Sequence, residues 1–304
     1  MYQTQNVYSI DSIKIEDYAD DTIRKEIKDL RLEEVRNILY ELSEPIIDDN
    51  SAYMINKRII HTLFSYNQSC SNDLLNQIVL QLTLIDSMYS TQMTRRYFGI
   101  GELAEVLCVL SEGSLKILKY KFLTYLSNKE RFFSLFDFLT DQLSVYRDGS
   151  EKRVSNLFTE GYGLGKNAKS KGIAVSLISK YAYFLTDFQF PIYDSVLKET
   201  YPQLCNYLCL EKMPNIKVAD ISAYINAIDS LRNIIGYLAS YDAIDRLLWY
   251  VGKIKRGNLS LLVSMEDYKK YGLGFNIHTA SLDDLSFLRS NNSLYKIFSL
   301  AKKL

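Results

Sequence analysis

Residues 161–197 read GYGLGKNAKSKGIAVSLISKYAYFLTDFQFPIYDSVL, and three features follow one another along them. Gly161-Tyr162-Gly163-Leu164-Gly165-Lys166 is a glycine-rich turn, where a backbone without side chains can come close to a partner. Ala174 to Leu185 carries apolar residues at helical spacing around a single lysine, Lys180, which predicts a buried helix. Phe190-Pro191-Ile192-Tyr193-Asp194-Ser195 is an extended apolar run ending in an acid. The acid predicts a helix start, because its carboxylate can accept the orphan N–H groups of a first turn.

Each feature suits chemistry on nucleic acid. Glycines at a helix-turn-helix let amide N–H groups and the positive helix end meet a phosphate. The charge agrees: from Glu151 to Gly172, Lys152, Arg153, Lys166, Lys169 and Lys171 outnumber Glu151 and Glu160. A carboxylate held ionised at a helix start can oppose an oxocarbenium-like sugar cation, or activate the water or amine that attacks it. A lysine withdrawn from water on the adjacent helix is an amine of the kind that serves as nucleophile. The same residues also have plainer uses: Lys180 can snorkel to the surface, and Asp194 can be a cap and nothing more.

Gly163-Leu164-Gly165 ahead of one helix, and Pro191-Ile192-Tyr193-Asp194 ahead of the next, resemble two elements of the helix-hairpin-helix DNA glycosylases. These are the Gly-hydrophobic-Gly hairpin and the proline-hydrophobic-aspartate segment of the superfamily that includes endonuclease III and the 8-oxoguanine glycosylases. Ser179-Lys180, leading through an aromatic helix to Phe190-Pro191-Ile192-Tyr193-Asp194-Ser195, is similar to a bacterial, 8-oxoguanine-glycosylase-like branch. The resemblance implies an all-α fold of two lobes with little or no strand. It implies double-stranded DNA in the groove between the lobes, and excision or recognition of a modified base in repair or in defence against phage and other foreign DNA. Asp194 is then the catalytic carboxylate and Lys180 or Lys166 the amine. Gly161, Gly163, Gly165, Lys166, Lys169 and Lys171 form the phosphate-binding turn. Bifunctional members carry their nucleophilic lysine two residues past the second hairpin glycine, where this chain has Asn167 and Lys166 stands one residue early. Neither a cofactor nor a metal is expected. The alternative is a helical DNA- or protein-binding module that keeps the fold without the chemistry.

Outward from this stretch, helical periodicity recurs over Ile23–Leu42, Leu74–Met88, Leu103–Leu110, Leu115–Leu126, Phe132–Val145 and Ile221–Leu238, with Ser71 or Asn72 as an N-cap. Leu259 to Val263 reads as a short extended piece, and 281–289 and 292–302 as a final helix pair. Without a proline-rich or glycine/serine-rich linker, the expected parts are 1–150, an N-terminal helical lobe, and 151–304, the hairpin lobe, closely packed. Residues 86–97 crowd hydroxyl and amide groups before Arg95 and Arg96. Tyr89 and Gln92, with Tyr193, suit a base pocket, and the arginines suit a phosphate clamp. A helix C-terminus with favourable positive charge explains the same residues equally well. Trp249, within Asp245–Tyr250, has the apolar spacing of a core anchor.

Composition bounds the function. The 304 residues are 47% hydrophobic and 24% charged, which fits a globular chain rather than a disordered one. The 36 basic and 36 acidic residues cancel, which excludes a nonspecific coat for nucleic acid but leaves room for a local basic groove. No apolar run reaches the roughly 18 to 20 residues of a membrane span, and the polar, acidic start has no secretory pattern, so a cytoplasmic protein without a membrane partner is expected. Cys70, Cys108, Cys205 and Cys209 read as reduced thiols, the last two sharing one helix face. With His61 and His278 far apart, a zinc site is not expected.

Overall fold

The computed structural model describes residues 20–43, 50–65, 73–89, 100–127, 175–210, 221–236, 239–272, 279, 281, 284 and 292–304. The described chain is all helical. In order come α1 (Asp21–Ser43), α2 (Ala52–Ser65), α3 (Leu74–Tyr89), α4 (Ile100–Ser111), α5 (Leu115–Ser127), α6 (Val175–Leu185), α7 (Ser195–Tyr207), α8 (Ile221–Ile235) and α9 (Tyr241–Lys255). A 3-10 turn (Leu259–Leu261), the short α10 (Met265–Asp267), a π turn (Tyr268–Gly272) and α11 (Asn292–Lys303) complete it. Ser51 and Ser264 form an isolated antiparallel bridge, and no strand occurs among the described residues.

Helix α9 organises the core. Ser240 caps it, its Oγ accepting the Ala243 amide at 3.0 Å, and every residue from Ala243 to Gly252 is buried. A stretch buried on every face has to be covered on every face. Here α7, α1, α11 and α8 surround α9. Gly252 lets α7 approach: a Cβ at this position would overlap the Val196 side chain and press on Thr200. Trp249 stacks on Tyr53 of α2 with ring centroids 4.0 Å apart, which makes the single tryptophan a core anchor. The remaining helices meet through α6, which packs on α2, α3 and α5, while α3 also packs on α4.

The C-terminal region departs from its expected form. Leu259 to Leu261 coil into a 3-10 turn instead of extending, after Gly257 leaves α9 with a φ of +73°. The Leu261 amide closes that turn on Asn258 O at 3.3 Å. Cys205 is buried in α7, but α7 stops at Tyr207 and Cys209 lies beyond it with a φ of +52°, so the two thiols do not share a helix face. Cys108, Cys205 and Cys209 are free thiols. The expected helices at 132–145 and 281–289, the cap at Ser71 or Asn72 and the boundary at residue 150 lie outside the described residues, apart from Ser281 and Asp284. No described helix is long and apolar enough to cross a membrane.

Candidate active site

The segment from Phe190 to Asp194 is extended, and two side chains pin it. Ser179 Oγ on α6 accepts the Tyr193 amide at 3.0 Å, and the Tyr224 hydroxyl of α8 donates to Ile192 O. Ile192 and Tyr193 are buried as a result. The segment therefore delivers Asp194 to the start of α7 in an extended conformation (φ −146°, ψ −178°). Asp194 Oδ1 accepts the Val196 amide at 2.9 Å and the Leu197 amide at 3.0 Å, which makes it the N-cap.

Oδ2 is left for another partner. Lys180 reaches it from α6, with Nζ 3.3 Å away; the lysine side chain is 3% exposed and the carboxylate 14%. The ammonium also donates to Ser176 Oγ at 2.8 Å and sits 5.3 Å from the centroid of the Tyr89 ring at the end of α3. Adjacent residues of α6 thus do complementary work, Ser179 holding the backbone that carries Asp194 and Lys180 pairing with its side chain. Burial pushes the Asp194 carboxyl upward. The Lys180 charge and the amides of Leu197 and Val196 outweigh this and hold it below the usual carboxylate range.

A second charged group adjoins the first. Asp242 in the first turn of α9 accepts from Lys57 of α2 and from the Tyr183 hydroxyl of α6. Arg246 Nε lies 3.3 Å from its other oxygen, although without an aligned hydrogen bond. Burial opposes ionisation of Asp242, and the Lys57 and Arg246 charges outweigh it, so this carboxyl too is held low. Asp245, one turn further along α9, is treated in the opposite way. It is buried. Burial, then the nearby carboxylates of Asp194 and Asp242, push it up to about 8 against the pull of Lys57 and Lys180. The same cluster of charges thus holds Asp194 and Asp242 low and pushes Asp245 up.

Two tyrosines near these groups are buried or half-buried as well. The Tyr89 and Tyr193 hydroxyls are buried with no hydrogen-bond partner. Burial pushes the Tyr193 phenol up to about 12. Burial and the carboxyls of Asp245, Asp242 and Asp194 raise Tyr89 well above its ordinary range. Buried hydroxyls are normally satisfied, so these two are exceptions to the rule.

Of the residues singled out in sequence, Asp194, Lys180, Tyr89 and Tyr193 belong to this region, the first two in direct contact. Gly161, Gly163, Gly165, Lys166, Lys169, Lys171, Gln92, Arg95 and Arg96 lie outside the described residues. Sequence reading missed Lys57, Asp242 and Arg246 and took Asp245 only as the edge of a core run. A signal was present: in Asp242-Ala-Ile-Asp-Arg-Leu-Leu-Trp the charged residues interrupt a helix otherwise apolar enough to be buried on every side. Among the described residues no group of three His, Cys, Asp or Glu is placed to hold a metal ion. Comparison of the chain with protein-family models, with curated proteins and with solved structures returns no match.

Proposed function

We propose that the protein is a DNA glycosylase-like enzyme of the cytoplasm that excises a modified base from double-stranded DNA, on a two-lobed helix-hairpin-helix fold. The observation that carries this reading is the buried Lys180–Asp194 pair at the start of α7. A carboxylate kept ionised in a buried setting opposes a developing sugar cation far better than one in water, because charge interactions strengthen as the local dielectric falls. In this reading Lys180, once its ammonium has passed a proton to solvent, supplies the amine that adds to C1′ as the base departs. Tyr89 and Tyr193, with unpaired buried hydroxyls, suit the edge of a flipped base. The basic, glycine-rich residues 161–171, with Arg95 and Arg96, supply the phosphate contacts in this reading.

The test is single-turnover base release, with borohydride trapping, on duplexes carrying uracil, hypoxanthine, 8-oxoguanine or 7-methylguanine. Base release that is lost in Asp194→Asn, and a trapped adduct that is lost in Lys180→Gln, are the expected results. Duplex binding with no release from any of the four, by the parent chain, sinks the enzyme reading.

A second reading has one observation in its favour. The Lys180 ammonium is already engaged by Asp194 and Ser176, as in a purely structural pair. A helical binding module would bind duplex, release nothing, and lose only stability on substitution of Asp194.

A further inference from the structure

The Lys180 ammonium is buried, and before its nitrogen can form a bond it must give up a proton. Its neighbours are Ser176 Oγ at 2.8 Å, Asp194 Oδ2 at 3.3 Å and the ring of Tyr89, with a centroid 5.3 Å away. These three are unequal takers. The ring attracts the cation but accepts no proton. Asp194 has to stay ionised to oppose a sugar cation, and the Val196 and Leu197 amides on its Oδ1 favour that charge. The Ser176 hydroxyl, by contrast, can accept one hydrogen and give another in the same motion. Long side chains on a helix lean toward its N-terminus, and Lys180 accordingly reaches back to Ser176, four residues earlier in the first turn of α6. Ser176 is half-buried where Lys180 is buried, so the hydrogen bond runs from the interior toward solvent. Ser179, the other hydroxyl of this turn, is committed to backbone: its Oγ accepts the Tyr193 amide at 3.0 Å and donates to Ser176 O at 3.2 Å.

We propose that Ser176 is the proton relay of Lys180, the hydroxyl through which a buried ammonium becomes the amine that attacks the sugar. The proposal rests on the glycosylase reading and deepens it, by naming the group that decides whether an amine or a water takes C1′. In one motion Nζ gives a proton to Ser176 Oγ, and Oγ gives its own hydrogen to a solvent water. The serine remains a neutral hydroxyl, the lysine becomes an amine, and Asp194 stays ionised throughout. The amine electron pair then bonds to C1′ as the pair of the C1′–base bond leaves with the base, which takes a proton from solvent. Next the C1′–O4′ bond opens: its electron pair goes to O4′ together with a proton from the nitrogen, and an iminium is left on the lysine. Without the relay Lys180 stays charged, a water oxygen bonds to C1′ and sheds its proton to solvent, and no covalent adduct forms.

The experiment compares Ser176→Thr with Ser176→Val, two side chains of nearly the same shape that differ by a hydroxyl. Both are measured beside the parent on duplexes carrying uracil, hypoxanthine, 8-oxoguanine or 7-methylguanine, by single-turnover base release and by borohydride, whose hydride reduces the iminium to a stable adduct. The quantity read is adduct trapped per base released. Ser176→Thr is expected to keep the parent's ratio. Ser176→Val is expected to lower it about 10²-fold, the lower end of what a positioned proton-transfer group contributes. A hydroxyl that only held the helix together would change release and trapping in step and leave the ratio alone. Equal ratios in the two variants overturn the proposal and leave the glycosylase reading standing. A parent that releases base without any adduct overturns it too, since no amine then acts. A parent that releases no base from any of the four ends both. Should Ser176→Val not fold, Ser176→Ala takes its place, and a ratio there equal to the parent's overturns the proposal.

Discussion

Lys180 Nζ stands 3.3 Å from Asp194 Oδ2, while Oδ1 of the same carboxylate caps α7 through the amides of Val196 and Leu197. One side chain therefore both starts a helix and neutralises a buried ammonium. These roles have different requirements: asparagine can cap, but it cannot balance a charge.

The first prediction separates them. Asparagine caps as well as aspartate does, so a cap alone would make Asp194→Asn nearly neutral for stability. Removing one partner of a buried pair instead costs about 3–5 kcal/mol, because the other charge is left uncompensated. Asp194→Asn is expected to show the larger loss in urea unfolding, and Lys180→Met combined with Asp194→Asn to recover much of it. Additive losses in the double variant would show that the two groups are not coupled.

A second prediction tests the closest helix contact. In Gly252→Ala the new methyl meets Val196 and Thr200, and overpacking of this kind costs about 1–3 kcal/mol. Val196→Ala clears the space, so the pair Gly252→Ala with Val196→Ala should lose less than the sum of the two single changes. The Asp194 cap lies two residues from Val196. Gly252→Ala should therefore also slow base release, if release occurs, without touching a charged group.

Much of this was legible in the sequence, for physical reasons. The all-helical class, the bounds of α1, α3 and α5, and Asp194 as a cap follow from periodicity and local capping chemistry, which act over a few residues. Lys180 and Asp194 were both identifiable, because each breaks an apolar run. Their contact depends on how α6 packs against the segment before α7, and spacing alone does not give that packing. Lys57 and Asp242 are further removed: 185 residues separate them along the chain, and only the meeting of α2 with α9 joins them. Leu259–Leu261 read as extended because Leu-rich triplets suit either state, and the 3-10 turn there is set by Gly257 closing α9.

The third prediction concerns DNA. If Lys166, Lys169 and Lys171 flank a phosphate site, replacing all three with alanine weakens duplex binding. It also reduces the slope of log K against log salt by up to about 2.7, because three fewer counterions are released. The measurement is binding across a salt series. An unchanged slope would place any bound DNA elsewhere on the protein.

The last prediction follows from the opposite treatment of the three carboxyls. Asp194 and Asp242 are held below their unfolded value, so the stability each contributes is present above about pH 4 and is lost as pH falls through its folded value. Asp245 is raised to about 8 by burial and by its two acidic neighbours. Its sign is reversed: its contribution is complete below the unfolded carboxyl value and is lost progressively as pH rises through about 8, after which it is constant. Asp245→Asn keeps the shape of the protonated acid and cannot ionise in the unfolded chain. The stability difference between Asp245→Asn and the parent should therefore grow in favour of the variant from about pH 4 to about pH 8 and then level off. Each unit of separation between the folded and unfolded values is worth about 1.4 kcal/mol, so the gain at neutral pH should be at least of that order. Urea unfolding of both proteins across this range measures it. A difference that does not change with pH would mean that Asp245 is ionised in the folded protein.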